Sequence, residues 1–208
     1  MKTARLYIFD MDGTLLDSMP SWIHLGRNYL LRQHITPPKN LEQTIEAMTL
    51  QESAAYFQTL GLDKKTDDIV KEVMEYLHDE YRLSIPAKPG MLSLLQDLSQ
   101  ETDSTRCVLT TSEKDCAIPA LERNHMLPYF ADVFTSQELG LSKRSPQIYQ
   151  AVCQHYHISP SETVVFEDAI YAIQSAKEAG CYVYAVPDDS SVPDWDIISS
   201  MADEIFQP

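Results

Sequence analysis

The sequence predicts an α/β fold: a doubly wound, mainly parallel sheet of five to six strands, with an α-helical cap inserted after strand one. Three observations predict it. Five short β-type runs, at 6–9, 106–109, 133–135, 163–166 and 182–186, are apolar throughout rather than alternating, as strands covered on both faces are. Amphipathic helical stretches at about 90–99, 115–124, 145–156 and 169–179 lie between most of them, the order that builds a parallel sheet. The long gap between the first and second strands, residues 18–84, shows only helical periodicity.

Within that gap, Val70, Val73, Met74, Leu77 and Tyr81 share one helical face, with Lys71, Glu72, Glu75 and Asp79 between them. Trp22, Leu25 and Tyr29 repeat the spacing earlier, and Pro37-Pro38 and Gly61 punctuate the segment into about four helices. The expected division is a catalytic core of 1–17 and 85–208 and a helical cap of 18–84. Proline-containing crossings, Asp17-Ser18-Met19-Pro20 and Ile85-Pro86-Ala87-Lys88-Pro89-Gly90, join the two.

Composition narrows the function. The 208 residues carry 31 acidic and 16 basic side chains, a net charge of −15, with 44% hydrophobic residues. Such a chain has enough apolar mass for a core, which excludes disorder. Its acidity argues against nucleic acid and against anionic membranes, both of which need a basic surface. The apolar runs are a few residues long, far below the ~20 needed to span a bilayer. The start, MKTARLYIFDMDG, reaches two aspartates before any long apolar region and does not read as a signal peptide. Cys107, Cys116, Cys153 and Cys181 form no C-x-x-C pair and read as free thiols. The expectation is a cytoplasmic protein, a monomer or weak homodimer.

The chemistry gathers at strand ends. After the first strand come Asp10-Met11-Asp12-Gly13-Thr14. Residues i and i+2 of extended chain point the same way, so Asp10 and Asp12 project together from the carboxyl end, where open parallel sheets bind ligands. Paired carboxylates raise one pKa or recruit a cation, although D-x-D by itself is more often a solvated turn. The second strand ends in Thr110-Thr111-Ser112, hydroxyls suited to an anionic oxygen. Lys143 opens a helix-like segment, and Phe166-Glu167-Asp168 ends another apolar strand in acids. Each element alone has an ordinary structural explanation. Their order does not.

D-x-D-G-T-L-L-D-S, a Thr-ended strand, Lys-x-x-Pro and Phe-Glu-Asp together resemble the haloacid dehalogenase-like (HAD) hydrolase superfamily. The pattern looks most like its phosphoglycolate phosphatase and β-phosphoglucomutase-like members, which carry a helical cap after the first motif. The resemblance implies that Asp10 is the nucleophile, forming an aspartyl-phosphate, and that Asp12 is the general acid and base. Thr110 and the Thr111 N–H would hold a phosphoryl oxygen beside Gly13, with Lys143 neutralising charge. Asp168, Asp10 and the carbonyl of Asp12 would bind Mg²⁺, with Glu167 acting through water. The implied activity is Mg²⁺-dependent hydrolysis of a small phosphate monoester: a sugar phosphate, phosphoglycolate or a nucleotide-like ester. A hard, oxygen-rich site suits that ion.

Several residues depart from the family pattern. Arg144 and Gln147 replace the usual Pro and Asp after the lysine, and Ala169 and Ala172 replace Ser and Gly of the last motif. Trp22 stands where mutase-like members carry His, and Leu50 where they carry a phosphate-gripping Arg, which favours hydrolysis over a phosphomutase. Trp22 is also a candidate substrate contact on the cap. A phospho-acceptor receiver module is the alternative from another class; it is shorter and lacks the helical insertion. A ligand-binding module without catalysis on the same fold is a further alternative.

Overall fold

The structure, a computed structural model, describes residues 1–207. Among these, six strands form one all-parallel sheet: β1 (Leu6–Phe9), β2 (Thr105–Thr110), β3 (Asp132–Thr135), β4 (Thr163–Glu167), β5 (Tyr182–Ala185) and β6 (Glu204–Ile205), in the order β3-β2-β1-β4-β5-β6. The five predicted runs are β1 to β5. The two-residue β6 is an addition: it is exposed and carries no apolar run to announce it. The chain winds outward from β1 through β2 and β3, then returns to the other side of β1 with β4. That reversal puts the topological switch point at the carboxyl ends of β1 and β4, the place where doubly wound sheets bind ligands.

The chain divides into two compact units, 1–17 with 85–208, and 18–84. The second is helical, with α1 (Met19–Ile23), α2 (Leu25–Arg32), α3 (Leu41–Ile45), α4 (Leu50–Thr59) and α5 (Thr66–Leu83). The expected single helix through Trp22, Leu25 and Tyr29 is broken at His24, so Leu25 and Tyr29 are buried while Trp22 is exposed. On α5 the buried stripe is Ile69, Val73, Tyr76, Leu77 and Tyr81, with Val70 and Met74 only half-buried at its edge. Thr49 caps α4 reciprocally with Glu52, satisfying two otherwise open backbone donors.

In the first unit, α6 (Met91–Leu98), α7 (Lys114–Arg123), α8 (Ser136–Leu139), α9 (Pro146–His155), α10 (Ile170–Ala179) and α11 (Trp195–Met201) flank the sheet sequence. Leu6 and Ile8 of β1, Val165 of β4 and Val183 of β5 pack with Ile148 and Val152 of α9 and with Ile173 and Ala176 of α10. Alternate residues Phe9, Phe166 and Tyr184 stack ring on ring, with centroids 4.6 and 5.0 Å apart. Both faces of the central strands are therefore dry, which is why their sequences are uniformly apolar. Such packing holds the strand ends rigidly, a requirement for placing charged groups at a fixed spacing.

Candidate active site

Asp10 follows β1 directly, with its N–H donating to Phe166 O at 3.0 Å. Glu167 is the last residue of β4, and Asp168 follows it. All three side chains are buried, and one carboxylate oxygen from each lies within 4.8 Å of the others. Lys143 Nζ, 3% exposed, donates to Asp10 Oδ1 at 2.6 Å and also pairs with Glu167 Oε1. Glu167 Oε2 accepts from the N–H groups of Asp168 (2.8 Å) and Ala169 (3.1 Å). Thr14 Oγ1 lies 3.4 Å from Asp168 Oδ1. Ser191 Oγ donates to the Asp168 carbonyl at 2.9 Å.

Three buried carboxylates meet one ammonium, and the electrostatics register the imbalance. Burial, then the neighbouring Glu167, pushes the Asp10 carboxyl from 3.8 up to about 8, against the pull of Lys143. Burial and then Glu167 and Asp10 push Asp168 upward as well. Lys143 is driven above its ordinary value: burial pulls it down, but Asp10 and Glu167 outweigh that and hold the ammonium charged. Asp10 Oδ2 is buried without a hydrogen-bond partner. An all-oxygen cluster with excess negative charge and an unsatisfied inward oxygen fits a hard divalent cation such as Mg²⁺. Asp10, Asp168 and Glu167 are the carboxylates that could hold or surround it.

Asp12 is half-buried, and its Oδ2 accepts from Ser112 Oγ at 2.6 Å. The carboxylate of Asp12 lies outside the three-acid cluster. Thr110 is fully buried at the end of β2, and its Oγ1 accepts from Ser112 N at 3.0 Å, while Thr111 is exposed. Gly13 has φ +82°, and a Cβ there would collide with Asp168 Oδ2. Glycine is required on both counts. Trp22 belongs to the helical unit, where its Nε1 donates to Tyr81 Oη at 2.8 Å.

The structure thus brings Asp10, Lys143, Glu167 and Asp168 together and ties Asp12 to the end of β2. Sequence reasoning named Ser112 among the hydroxyls after β2 and Thr14 within the first motif, but not as partners of Asp12 and Asp168. It missed Ser191, which carries no local signal.

The sequence profile of the haloacid dehalogenase-like hydrolases matches residues 7–186. The chain belongs to that family. It is similar to Hexitol phosphatase A of Escherichia coli (strain K12), 28% identical over 197 residues that cover 90% of this chain and 85% of that protein. It is also similar to the phosphoglycolate phosphatase of Nitrosospira multiformis, 26% identical over 190 residues with 88% and 83% covered. Among solved structures, a provisional β-phosphoglucomutase from Thermotoga maritima superposes with a TM-score of 0.82 at 22% identity, covering 98% of this chain and 94% of that one. The haloacid dehalogenase-like fold expected from the sequence is therefore met, as is membership among the enzymes of this family. No helix among the described residues is long and apolar enough to cross a membrane.

Proposed function

We propose that this haloacid dehalogenase-like enzyme hydrolyses a small phosphate monoester through an aspartyl-phosphate on Asp10, with Mg²⁺ as cofactor. The observation that carries the reading is Asp10 itself: one oxygen is fixed by buried Lys143, and the other is buried and unpartnered beside Glu167 and Asp168.

Asp10 attacks phosphorus, and the bond from phosphorus to the ester oxygen breaks. Asp12, held by Ser112, gives its proton to the departing alkoxide. In the second half, Asp12 takes a proton from water, whose oxygen attacks the aspartyl-phosphate and releases inorganic phosphate and free Asp10. Lys143 offsets the repulsion between carboxylate and phosphate, which is severe in a buried site. Thr110 and the Thr111 N–H, beside Gly13, are assigned to the phosphoryl oxygens. When bound, Mg²⁺ supplies further positive charge against the phosphoryl group. The helical unit is assigned as a cap that selects the leaving group, with Trp22 as a substrate-binding residue.

The names of the relatives support a hexitol, sugar or glycolate phosphate as substrate class. The test is release of nitrophenol from p-nitrophenyl phosphate, and of phosphate from a panel of such esters, with Mg²⁺ and with EDTA. Asp10→Asn is expected to lower turnover on the order of 10³-fold or more, as loss of a nucleophile does. Turnover unchanged in that variant removes Asp10 from the role.

A further inference from the structure

The candidate metal site is assembled from two segments distant in sequence: the turn after β1, holding Asp10, and the end of β4, holding Asp168. One residue outside both is bonded towards each. Lys88 lies in the proline-rich stretch before α6, and its N–H donates to Leu15 O at 2.9 Å. Beside it, Ala87 bridges Leu16, and Asp17 N donates to Pro86 O at 2.9 Å. Leu16 in turn closes the catalytic turn, its N–H donating to Met11 O at 2.8 Å and its carbonyl accepting from Gly13 N at 2.9 Å. The backbone of Lys88 is thus built onto the Asp10 half.

Its ammonium reaches the other half. Lys88 Nζ pairs with Asp188 Oδ2 at 2.7 Å and donates to Pro187 O at 2.5 Å, with the two side chains only 11% and 3% exposed. Asp188 Oδ1 accepts from Ser190 N at 2.9 Å and from Ser190 Oγ, and the Asp188 carbonyl accepts from Ser191 N at 3.0 Å. That fixes the turn carrying Ser191, whose hydroxyl donates to the Asp168 carbonyl at 2.9 Å. At the start of the same loop, Val186 N donates to Glu167 O at 2.8 Å. The path from Lys88 to Asp168 is short and continuous, with Asp188, Ser191 and Asp168 buried along it.

We infer that Lys88 is a positioning residue, a strut whose backbone holds the Asp10 turn and whose ammonium, through Asp188 and Ser191, holds Asp168, so that it sets the affinity of the site for Mg²⁺. The inference rests on the proposed function, in which Mg²⁺ is the cofactor and Asp10 and Asp168 are among the carboxylates that would hold it. A competing effect has the opposite sign. Removing Lys88 leaves Asp188 unpaired, and an extra negative charge attracts a cation. Position is expected to outweigh it, because Ser191 bonds the Asp168 carbonyl directly at 2.9 Å, whereas the Asp188 carboxylate is turned towards Lys88 and Ser190. Loss of the groups that orient a metal ligand commonly weakens binding 10- to 100-fold.

The experiment titrates Mg²⁺ alone into the full-length wild type, Lys88→Met and Lys88→Arg by calorimetry, and records melting temperatures in EDTA and in Mg²⁺. The expected result is a Kd raised about tenfold in K88M, a smaller Mg²⁺-induced rise in melting temperature, and recovery of most of the affinity in K88R. A purely structural lysine lowers both melting temperatures equally and leaves Kd unchanged, which overturns the inference. Tighter binding by K88M overturns it too, since charge then outweighs position. If wild type itself binds no Mg²⁺, the metal reading falls first, a result distinct from wild type and K88M binding equally. Should K88M fail to fold, Ser191→Ala carries the test: it keeps the ion pair and cuts only the hydroxyl that reaches Asp168, and an unchanged Kd there overturns the inference.

Discussion

Replacing Lys143 with Met tests the electrostatic account of the site most directly. The side chain is 3% exposed and the two match closely in length, so the substitution removes charge with little loss of packing. It leaves Asp10, Glu167 and Asp168, with oxygens inside 4.8 Å of one another, facing no cation in metal-free protein. Breaking a buried ion pair from one side costs about 3–5 kcal/mol, a large share of the roughly 5–15 kcal/mol that holds a domain together. At ~2–4 °C per kcal/mol for a chain of this size, melting in EDTA falls by about 6–20 °C. The pH dependence has a definite sign. Asp10 is raised from 3.8 to about 8, by burial first and Glu167 second, so the folded state holds a proton that the unfolded chain releases between those values. Stability contributed by this group is present below the unfolded value and is lost as pH climbs through the folded one. Without the ammonium the carboxyl rises further, so the Asp10-linked deficit of K143M is small near pH 5, opens near pH 8 as the wild-type carboxyl ionises, and widens above it. Saturating Mg²⁺ recovers part of it by binding only the folded form. Thermal melts of both proteins in EDTA and in Mg²⁺ across this range decide the matter. A K143M chain melting with wild type at pH 8 in EDTA refutes the claim that Lys143 balances these carboxylates.

Two further outcomes follow from the same geometry. Asp12→Ala, outside the buried cluster, is expected to lower kcat by about 10²–10⁴-fold, the range for a lost general acid or base, with the Mg²⁺-induced melting shift retained; equal kcat for variant and wild type rejects the role. Gly13→Ala forces a side chain into left-handed backbone at φ +82° and against Asp168 Oδ2, so chemical denaturation should show a loss of at least ~1–2 kcal/mol and calorimetry a weakened Mg²⁺ affinity. An unaltered affinity would show that Asp168 gives way without consequence.

What could be read from the sequence divides along physical lines. β1 to β5 are legible because both faces are covered, which makes each run apolar from end to end. β6 escapes because two exposed residues, Glu204 and Ile205, owe their pairing to β5 and to no pattern of their own. α11 escapes for a related reason: only Ile198 of its seven residues is buried, and the Asp-, Ser- and Pro-containing stretch before it reads as loop. The split of α1 from α2 at His24 is invisible because Trp22, Leu25 and Tyr29 keep a helical spacing across it. In the site, Asp10, Asp12, Thr110, Glu167 and Asp168 announce themselves by sitting at or just after strand ends. Lys143, expected to open a helix, lies instead in the turn before α9, whose cap is Ser145. Ser191, Lys88 and Asp188 do not announce themselves: their roles lie in hydrogen bonds between remote segments, and such partners leave no periodicity behind.

The acidity of the chain and its proposed anionic substrate stand in tension only if all charges count equally. A net charge of −15 spread over 208 residues repels phosphate at a distance, but salt screens exposed charges beyond ~8 Å at physiological ionic strength. Buried groups escape that screening. The decisive balance is therefore local, where Lys143 faces Asp10, Glu167 and Asp168 across a dry strand end. One lysine is too little for three buried carboxylates, and that deficit is compatible with a divalent cation. Neutral Ala169 after Asp168 has a separate structural account. Backbone N–H groups of Asp168 and Ala169 already satisfy Glu167 Oε2, so the orientation of that carboxylate depends on the chain's course after β4 rather than on a hydroxyl at position 169.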